Sequence, residues 1–365
     1  MIGVENTCYS KHSMYCVTAD ESVVDSSGRI IFFSFKRFVK DIVEGNHCFM
    51  CGVSSEARPF NNEHVLPDWI LRRYQLHNRT ITLPNGAQFR YGQFTIPCCE
   101  KCNGKLGERV EKPIREMFDK GYKAFGEQVE AEGPWRLFCW MCLIFLKTHL
   151  KDNDLSFHQD RRKGEDKIGE LHSWDDLHHI HCMARSFYTG CNLKMEALGS
   201  LLVVPAKILP YGEPFDYCDL SFAQTMLLRI DEIAVIAVFD DSRASLSVIQ
   251  DFIKKIGGPL SPLQLRELAI RMAAINIHLA ERPRFYSSLN ILTEEYEIAG
   301  EGPAEIRLED WRDETLGKMM YHICSNAMIG IAEKPQILES IKTGRYSFMF
   351  DDKGDFAANH MDPIT

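Results

Sequence analysis

Residues 48–51 read Cys-Phe-Met-Cys and residues 99–102 read Cys-Glu-Lys-Cys, with 47 residues between the two pairs. Each pair places two thiols on one tight turn, and two such turns supply the four ligands of a tetrahedral zinc ion. Gly52 directly follows the first pair, which favours a sharp turn at that point. The sequence therefore predicts a structural Zn²⁺ site, with Cys48, Cys51, Cys99 and Cys102 as its ligands.

A fifth cysteine, Cys98, stands next to the second pair. Pairing Cys99 with Cys102 gives the common spacing of two intervening residues, whereas Cys98 would give three. We therefore expect Cys99 to be the ligand and Cys98 to be outside the site. The alternative is that both pairs are reduced core cysteines that bind no metal.

An acid-histidine dipeptide, Glu63-His64, lies between the two cysteine pairs and is followed by Pro67 and Trp69. Asn103 comes directly after Cys102, and Glu111 follows eight residues later, about two turns along a helix. A neutral imidazole is a suitable general base near pH 7, and carboxylate and amide oxygens suit a hard divalent cation. The dipeptide could also be a solvated pair on a loop.

Together these motifs resemble those of the HNH endonucleases, also called ββα-metal or His-Me finger nucleases, in the branch built on a four-cysteine zinc finger. The resemblance covers roughly residues 46–115. It implies that His64 is the general base, and that Glu63 and Asn103 hold a catalytic Mg²⁺ or Mn²⁺ with Glu111 as a supporting ligand. It also implies a treble-clef-like finger, DNA as the substrate, and a setting in phage defence or mobile elements.

The chain departs from the family pattern in the strand before the second cysteine pair. Family members often carry an asparagine there that orients the histidine, but residues 91–97 read Tyr-Gly-Gln-Phe-Thr-Ile-Pro. The amides that could act in its place are those of Gln93, Asn78 and Asn85.

The chain as a whole is acidic, with 42 Lys and Arg against 51 Asp and Glu and a net charge of −9. Residues 29–123 instead carry 16 basic and 10 acidic side chains, so positive charge concentrates around the motifs. This distribution favours a local nucleic-acid surface rather than binding by overall charge. The candidate phosphate contacts are Arg72, Arg73, Lys101, Lys105 and Arg109, although some of them could only solvate a helix.

Composition sets the remaining expectations. Hydrophobic residues make up 45% of the 365 residues, which is enough for two or three domains with ordinary cores. The thirteen cysteines and the absence of a signal peptide favour a reducing, cytoplasmic compartment. The most apolar run, residues 135–146, is too short to cross a membrane, so a buried helix is expected. No Walker A loop is present, which argues against an intrinsic ATPase.

The pattern predicts an α+β protein in three parts. Residues 1–45 would be an extension packed on the finger, loosely ordered up to residue 28. Residues 46–130 would be the finger, with Glu63-His64 on the first strand of a hairpin and a helix over about 105–118. Residues 131–365 would be an α+β domain for recognition or regulation, with strands near 180–188 and 201–208, a hairpin over 222–239, and helices over 247–256 and 262–279.

Two further groups in this last part could suggest metal ligands: His178, His179, His181 and Cys182, and the pair Cys139 and Cys142. Alternation along the expected strand would separate His178 from the other two histidines, and the cysteine pair falls in the apolar helix. Placement in the core or at the surface is favoured for both groups.

The sequence therefore predicts a metal-dependent endonuclease that cleaves DNA, with a protein partner or an activating ligand acting through residues 131–365. One finger attacks one strand, so a double-strand break would require a homodimer or repeated nicking. The alternative is a zinc-finger module without catalysis that binds nucleic acid or a protein.

Overall fold

The structure is a computed structural model that describes residues 15–210, 213–290, 293–325, 327–328 and 334–358. Up to residue 193 its elements are β1 (Tyr15–Val17), β2 (Val23–Asp25), β3 (Ile30–Phe32), α1 (Phe35–Arg37), β4 (Phe60–His64), α2 (Asp68–Arg73), β5 (Thr80–Thr82), β6 (Gln88–Arg90), β7 (Thr95–Cys99), α3 (Glu100–Leu106), α4 (Lys112–Phe118), α5 (Gly121–Glu132), α6 (Trp135–Asp152), α7 (Trp174–Ala184), α8 (Ser186–Thr189) and β8 (Asn192–Leu193).

The remaining elements are β9 (Ser200–Pro205), β10 (Phe215–Leu220), β11 (Thr225–Ile230), β12 (Ile233–Val238), α9 (Ala244–Val248), α10 (Gln250–Ile253), α11 (Pro262–Ile277), β13 (Arg284–Asn290), β14 (Glu295–Glu301), α12 (Asp313–Cys324) and α13 (Lys334–Lys342). This mixture confirms the expected α+β class. No helix among the described residues has the length and apolar character required to span a bilayer.

The chain divides into two compact units that interleave along the sequence. The first is drawn from Met1–Glu116, Trp135–Ala197 and Phe285–Gly300, and the second from Met117–Pro134, Leu198–Arg284 and Glu301–Thr365. The division after residues 45 and 130 therefore stays a prediction about domains, since the compact units do not follow it.

The first unit contains the predicted hairpin. β4 pairs antiparallel with β7, and the register places Glu63 opposite Ile96 and His64 opposite Thr95. The polar excursion between these strands forms a second hairpin, β5 with β6, whose turn includes Gly86 at φ +78°. The helix after β7 starts at Glu100 rather than near Lys105, because the strand runs into it without a loop. It continues through a π-helical segment, Gly107–Glu111, into α4.

Two expectations about the first unit are wrong. Residues 15–25, expected to be loosely ordered, supply β1 and β2, which form an antiparallel sheet with β3. Residues 1–14 of the same segment lie outside the described residues. The strand expected near 180–188 is helical, as α7 and α8. The buried positions of α7 follow helical spacing rather than the alternation assumed for a strand; they include Leu177, Ile180, His181 and Ala184.

The buried helix predicted from the apolar run is confirmed as α6, which extends to Asp152. Cys139 and Cys142 are buried on it, as expected for core residues. His149 near its end is also buried, and its Nδ1 donates to the Phe145 carbonyl at 2.7 Å. Burial, together with the nearby His172, lowers the pKa of His149 to about 3, so the ring is neutral in the folded protein.

The second unit is built on a four-stranded antiparallel sheet in the order β10-β11-β12-β9. The predicted hairpin is confirmed as β11 and β12, joined at Asp231, which adopts φ +52°. The helix α11 packs on this sheet. It begins with a capping box in which the Ser261 hydroxyl accepts from the Gln264 amide and the Gln264 side chain accepts from the Ser261 amide.

The neutral state of His149 predicts a pH dependence of stability. An unfolded histidine binds a proton below pH 6.5, whereas buried His149 does not, so the free energy of unfolding falls as the pH drops below 6.5. At pH 5 this amounts to about 2 kcal/mol. The His149→Gln variant keeps a side-chain N–H donor but has no titratable group at this position. Between pH 7.5 and 5 its free energy of unfolding, measured with urea, should therefore fall by about 2 kcal/mol less than that of the wild type. Identical losses in the two proteins would contradict the account.

Candidate metal centre and active site

The first cysteine pair lies on a tight turn. The Cys48 amide donates to the Val53 carbonyl and the Gly52 amide to the Cys48 carbonyl, both at 2.8 Å. Gly52 adopts φ +73°, and a Cβ atom there would lie 2.6 Å from Cζ of Phe33. Both the backbone conformation and the close approach of Phe33 require glycine, as the sequence predicted.

The second pair lies where β7 passes into α3, so Cys99 ends the strand and Cys102 occupies the first turn of the helix. The four Sγ atoms of Cys48, Cys51, Cys99 and Cys102 lie within 4.8 Å of one another. The Cys51 and Cys99 sulfurs are 3.7 Å apart. Tetrahedral zinc with bonds of about 2.3 Å separates its sulfur ligands by about 3.8 Å, so these residues could hold a zinc ion.

Cys98 lies outside this group, although its Sγ is 3.8 Å from that of Cys48. Its hydrogen bond to Cys48, together with burial, raises the pKa of the Cys98 thiol well above the usual range. Cys98 is therefore a protonated neighbour that can donate to a Cys48 thiolate. The choice of Cys99 as the member of the cluster is confirmed.

Electrostatics within the cluster favour a bound cation. The hydrogen bonds from Cys102, Cys51 and Cys98 lower the pKa of Cys48 and favour its thiolate. The bond to Cys48 in turn raises the pKa of Cys102 well above its ordinary value. Thiolates at these distances repel one another, and a divalent metal ion stabilises all four.

The helix α7 holds the first cysteine turn through buried side chains. His181 Nε2 donates to the Phe49 carbonyl at 2.9 Å, and Arg185 Nε donates to the Met50 carbonyl at 2.7 Å. Arg185 also donates to the Ile30 carbonyl at 2.6 Å. Burial lowers the pKa of His181 well below its usual value, so the ring is a neutral donor.

The other histidines of this group also bind main-chain carbonyls. His178 donates to Phe33 at 2.8 Å and His179 donates to Ala197 at 3.0 Å. Neither belongs to a potential metal group among the described residues, and the same holds for Cys182. They lie on a helix rather than on the expected strand, but the preference for placement in the core is confirmed for His181 and Cys182.

Glu63 and His64 lie at the end of β4, and Lys147 of α6 contacts both. Lys147 Nζ lies 2.6 Å from a Glu63 carboxylate oxygen and 2.7 Å from the His64 carbonyl oxygen. It is fully buried and also lies 4.0 Å from Glu111. Burial raises the pKa of Glu111 to about 7, even though the Lys147 ammonium opposes this shift. Sequence reasoning missed Lys147, because a lysine directly after the apolar run is not distinguished in the sequence from a surface residue.

Asn103 does not join this group. Its Nδ2 donates to Oδ1 of Asn61 at 2.7 Å, near the start of β4. Glu63 and Asn103, the expected ligands of a catalytic ion, therefore make their polar contacts with different partners. The helix runs along the hairpin, and its residue beside the Glu63 and Lys147 pair is Glu111, two turns beyond Asn103.

Another group at the end of β4 consists of His64, Asp68 and His77, whose ligand atoms lie within 4.8 Å of one another. His77 Nε2 is 3.0 Å from Asp68, and Arg72 pairs with the second Asp68 oxygen at 2.6 Å. Gln75 adopts φ +53° after α2, which turns the chain so that His77 returns to Asp68. Sequence reasoning missed Asp68 and His77, since this turn is not visible in the sequence.

The electrostatic environment of His64 favours its neutral form. Partial burial lowers the pKa of His64, and the neighbouring Asp68 and Glu63 carboxylates oppose the shift. The ring also contacts that of His77 edge to face, with centroids 5.9 Å apart. His64 is thus a partly exposed, neutral imidazole beside a carboxylate.

One of the amides expected to replace the family asparagine, Asn85, binds main-chain carbonyls outside the hairpin. Asn85 donates to the carbonyls of Ser156 and Phe157 at 3.0 and 3.1 Å. Gln93 and Asn78 belong to short 3₁₀ turns. The side chain that fixes the His64 backbone is Lys147.

The five basic residues proposed as phosphate contacts fall into two sets. Arg72 is paired with Asp68, and Arg73 lies over the Tyr74 ring at 5.9 Å. Lys101, Lys105 and Arg109 lie on one face of α3 and its continuation, and all three line a cleft beside the cysteine cluster.

Comparison with protein-family models, with curated proteins and with solved structures found no match.

The adjacent cysteines provide a matched test of the metal centre. Cys99→Ser should reduce bound zinc from about one ion per chain to a small fraction and should lower the melting temperature, because metal binding contributes to folding. Cys98→Ser should retain zinc. Zinc content by plasma mass spectrometry and thermal unfolding measure both effects, and equal zinc loss in the two variants would contradict the ligand assignment.

The buried Lys147 contact predicts coupled stability effects. Lys147→Met leaves the Glu63 carboxylate buried without its partner and should lower the free energy of unfolding by about 3–5 kcal/mol. Adding Glu63→Gln removes that charge and should restore part of the loss. Chemical denaturation of the two single variants and the double variant tests this coupling, and strictly additive effects would contradict a direct ion pair.

Proposed function

We propose that this protein is a metal-dependent nuclease of the HNH type that hydrolyses DNA phosphodiester bonds. The observation that carries the proposal is the group His64, Asp68 and His77, placed at the end of a β-hairpin whose second strand leads into a helix at a four-cysteine cluster. This order of strand, strand and helix fits the ββα finger that the sequence motifs imply. Zinc at the cysteines is structural in this proposal.

His64 acts as the general base. Its lowered pKa keeps the imidazole neutral near pH 7, so it can accept a proton from the attacking water. Lys147 positions it by holding the His64 carbonyl, which is the role that an asparagine often has in the family. Asp68 and Glu63 stabilise the imidazolium that forms when the ring takes the proton.

Asp68 and His77 are the residues best placed to hold a catalytic divalent ion. Both lie beside His64, and the contacts of Asp68 with His77 and Arg72 are solvent-exposed, whereas Glu63 is paired with buried Lys147. Asn103 is hydrogen-bonded to Asn61. A site held by Glu63, Asn103 and Glu111 requires those contacts to be exchanged. A bound divalent ion supplies positive charge for the phosphate and its leaving oxygen. An oxygen and nitrogen ligand pair favours Mn²⁺ over Mg²⁺.

DNA is the substrate in this proposal. One active site cleaves one strand at a time, so a double-strand break requires a second copy of the protein or repeated nicking. The second unit would recognise a partner or an activating ligand, in keeping with a defence function. The opposing candidate is a zinc module without catalysis that binds nucleic acid or a protein. It is favoured by one observation, namely that Lys147 occupies the carboxylate expected to bind the catalytic ion.

Cleavage of supercoiled plasmid in EDTA, Mg²⁺ or Mn²⁺ tests the proposal. The wild type should cut with added metal, most strongly with Mn²⁺, and His64→Ala should reduce cleavage at least about 100-fold, the lower end of the usual contribution of a general base. Asp68→Asn should raise the metal concentration required. Asn103→Ala should have little effect if Asp68 and His77 hold the ion.

A matched control is His158→Ala, which removes another histidine paired with an aspartate, at 2.9 Å from Asp166. It should cut like the wild type. Full activity of His64→Ala, with zinc content unchanged, would refute the mechanism. Binding of DNA that needs no added divalent cation, without any cutting, would favour the zinc-module alternative.

A further inference from the structure

A cleft of about 580 Å³ lies beside the first cysteine turn, within the first unit. Its walls come from the β2–β3 turn, the turn that carries Cys51 and Gly52, the helix α3 with its continuation, and α8. Six basic side chains line it: Arg29, Arg37, Arg58, Lys101, Lys105 and Arg109. No acidic residue is among those that line it.

Most of this positive charge is not neutralised. Arg29 pairs with Asp25 at 2.9 Å, and Arg37 pairs with Asp41 at 3.0 Å and lies 3.9 Å from Asp20. Within the described part of the chain, the side chains of the other four make no hydrogen bond or ion pair; they are Arg58, Lys101, Lys105 and Arg109. A zinc ion with four thiolates carries two negative charges, and the cleft remains positive even after these and the three aspartates are included.

The helix arranges three of these charges in a row. Lys101, Lys105 and Arg109 are spaced by four residues, so they follow one helix face over about 12 Å. Arg58 reaches the same cleft from the loop before β4. A row of this length exceeds what a single phosphate group requires and suits successive phosphates of one strand.

We propose that this cleft binds the sugar-phosphate backbone of nucleic acid. The inference deepens the proposed function, because it places part of the substrate on the same zinc-stabilised module. Lys101, Lys105 and Arg109 face the cleft, whereas Asn103 contacts Asn61 and Glu111 lies near Lys147, and the buried residues Cys102, Leu106 and Val110 lie between these two flanks of the helix. The cleft therefore binds the nucleic-acid strand at a distance from His64. It positions the strand and does not contact the phosphate that is cut.

Binding measured against salt concentration tests this inference. Fluorescence anisotropy with a labelled DNA duplex uses the full-length His64→Ala protein, which keeps the probe intact. Adding Lys105→Gln and Arg109→Gln should weaken binding about tenfold or more, and should reduce the slope of log affinity against log salt by about two, one for each lost phosphate contact.

The matched control carries Lys254→Gln and Lys255→Gln, which make the same change in net charge on the second unit. This control should bind like the parent, and all three proteins should keep the same zinc content. Equal weakening in both double variants, or none in the cleft variant, would overturn the inference. A free mononucleotide that displaces the duplex at an equal phosphate concentration would also overturn it, since the cleft would then be a small-ligand site.

The outcome is separate from that of the nuclease proposal. Cleft-dependent binding by a wild type that never cuts would support the cleft and refute catalysis. Metal-dependent cutting that the cleft substitutions leave unchanged, together with unchanged binding, would support catalysis and refute the cleft.

Discussion

Four thiol groups within 4.8 Å of one another constrain the first unit of this protein. They come from two segments separated by 47 residues, and their sulfurs cannot all ionise at this distance without a cation. Closing the group fixes the end of β7 against the first cysteine turn, and β7 in turn fixes the register of β4. The position of His64 therefore depends on the cysteine cluster, even though His64 contributes nothing to it. The α7 side chains His181 and Arg185 complete this arrangement by binding the carbonyls of the cysteine turn.

A second constraint is the buried ammonium group of Lys147. It joins α6 to the end of β4 through both a side chain and a main-chain oxygen, and lies 4.0 Å from Glu111. A buried cation of this kind needs the carboxylates around it. Glu63 therefore stabilises the fold, and it could bind a metal ion only by giving up its contact with Lys147. Asp68 also pairs with a cation, Arg72, but this pair is exposed to solvent, and Asp68 and His77 lie on the partly exposed side of His64. The structural and the proposed chemical tasks are thus divided between neighbouring carboxylates.

Sequence reasoning was most successful where local chemistry decides the structure. Cysteine spacing identified the cluster and chose Cys99 over Cys98, Gly52 marked a turn that only glycine fits, and the apolar run became the buried helix α6. It failed where tertiary contacts decide. The α7 histidines were assigned to a strand because a short apolar stretch does not distinguish the helical repeat from the alternation of a strand. Lys147, Asp68 and His77 were missed because they approach His64 only through helix packing and a reversed turn at Gln75.

The most direct test of the central claim is X-ray absorption at the zinc edge of the purified protein. The account predicts a first shell of four sulfur atoms at about 2.3 Å, as in structural tetrathiolate sites. A shell containing nitrogen or oxygen in place of sulfur, or a protein that folds without metal and binds none, would contradict it. The position of His64 would then need another explanation.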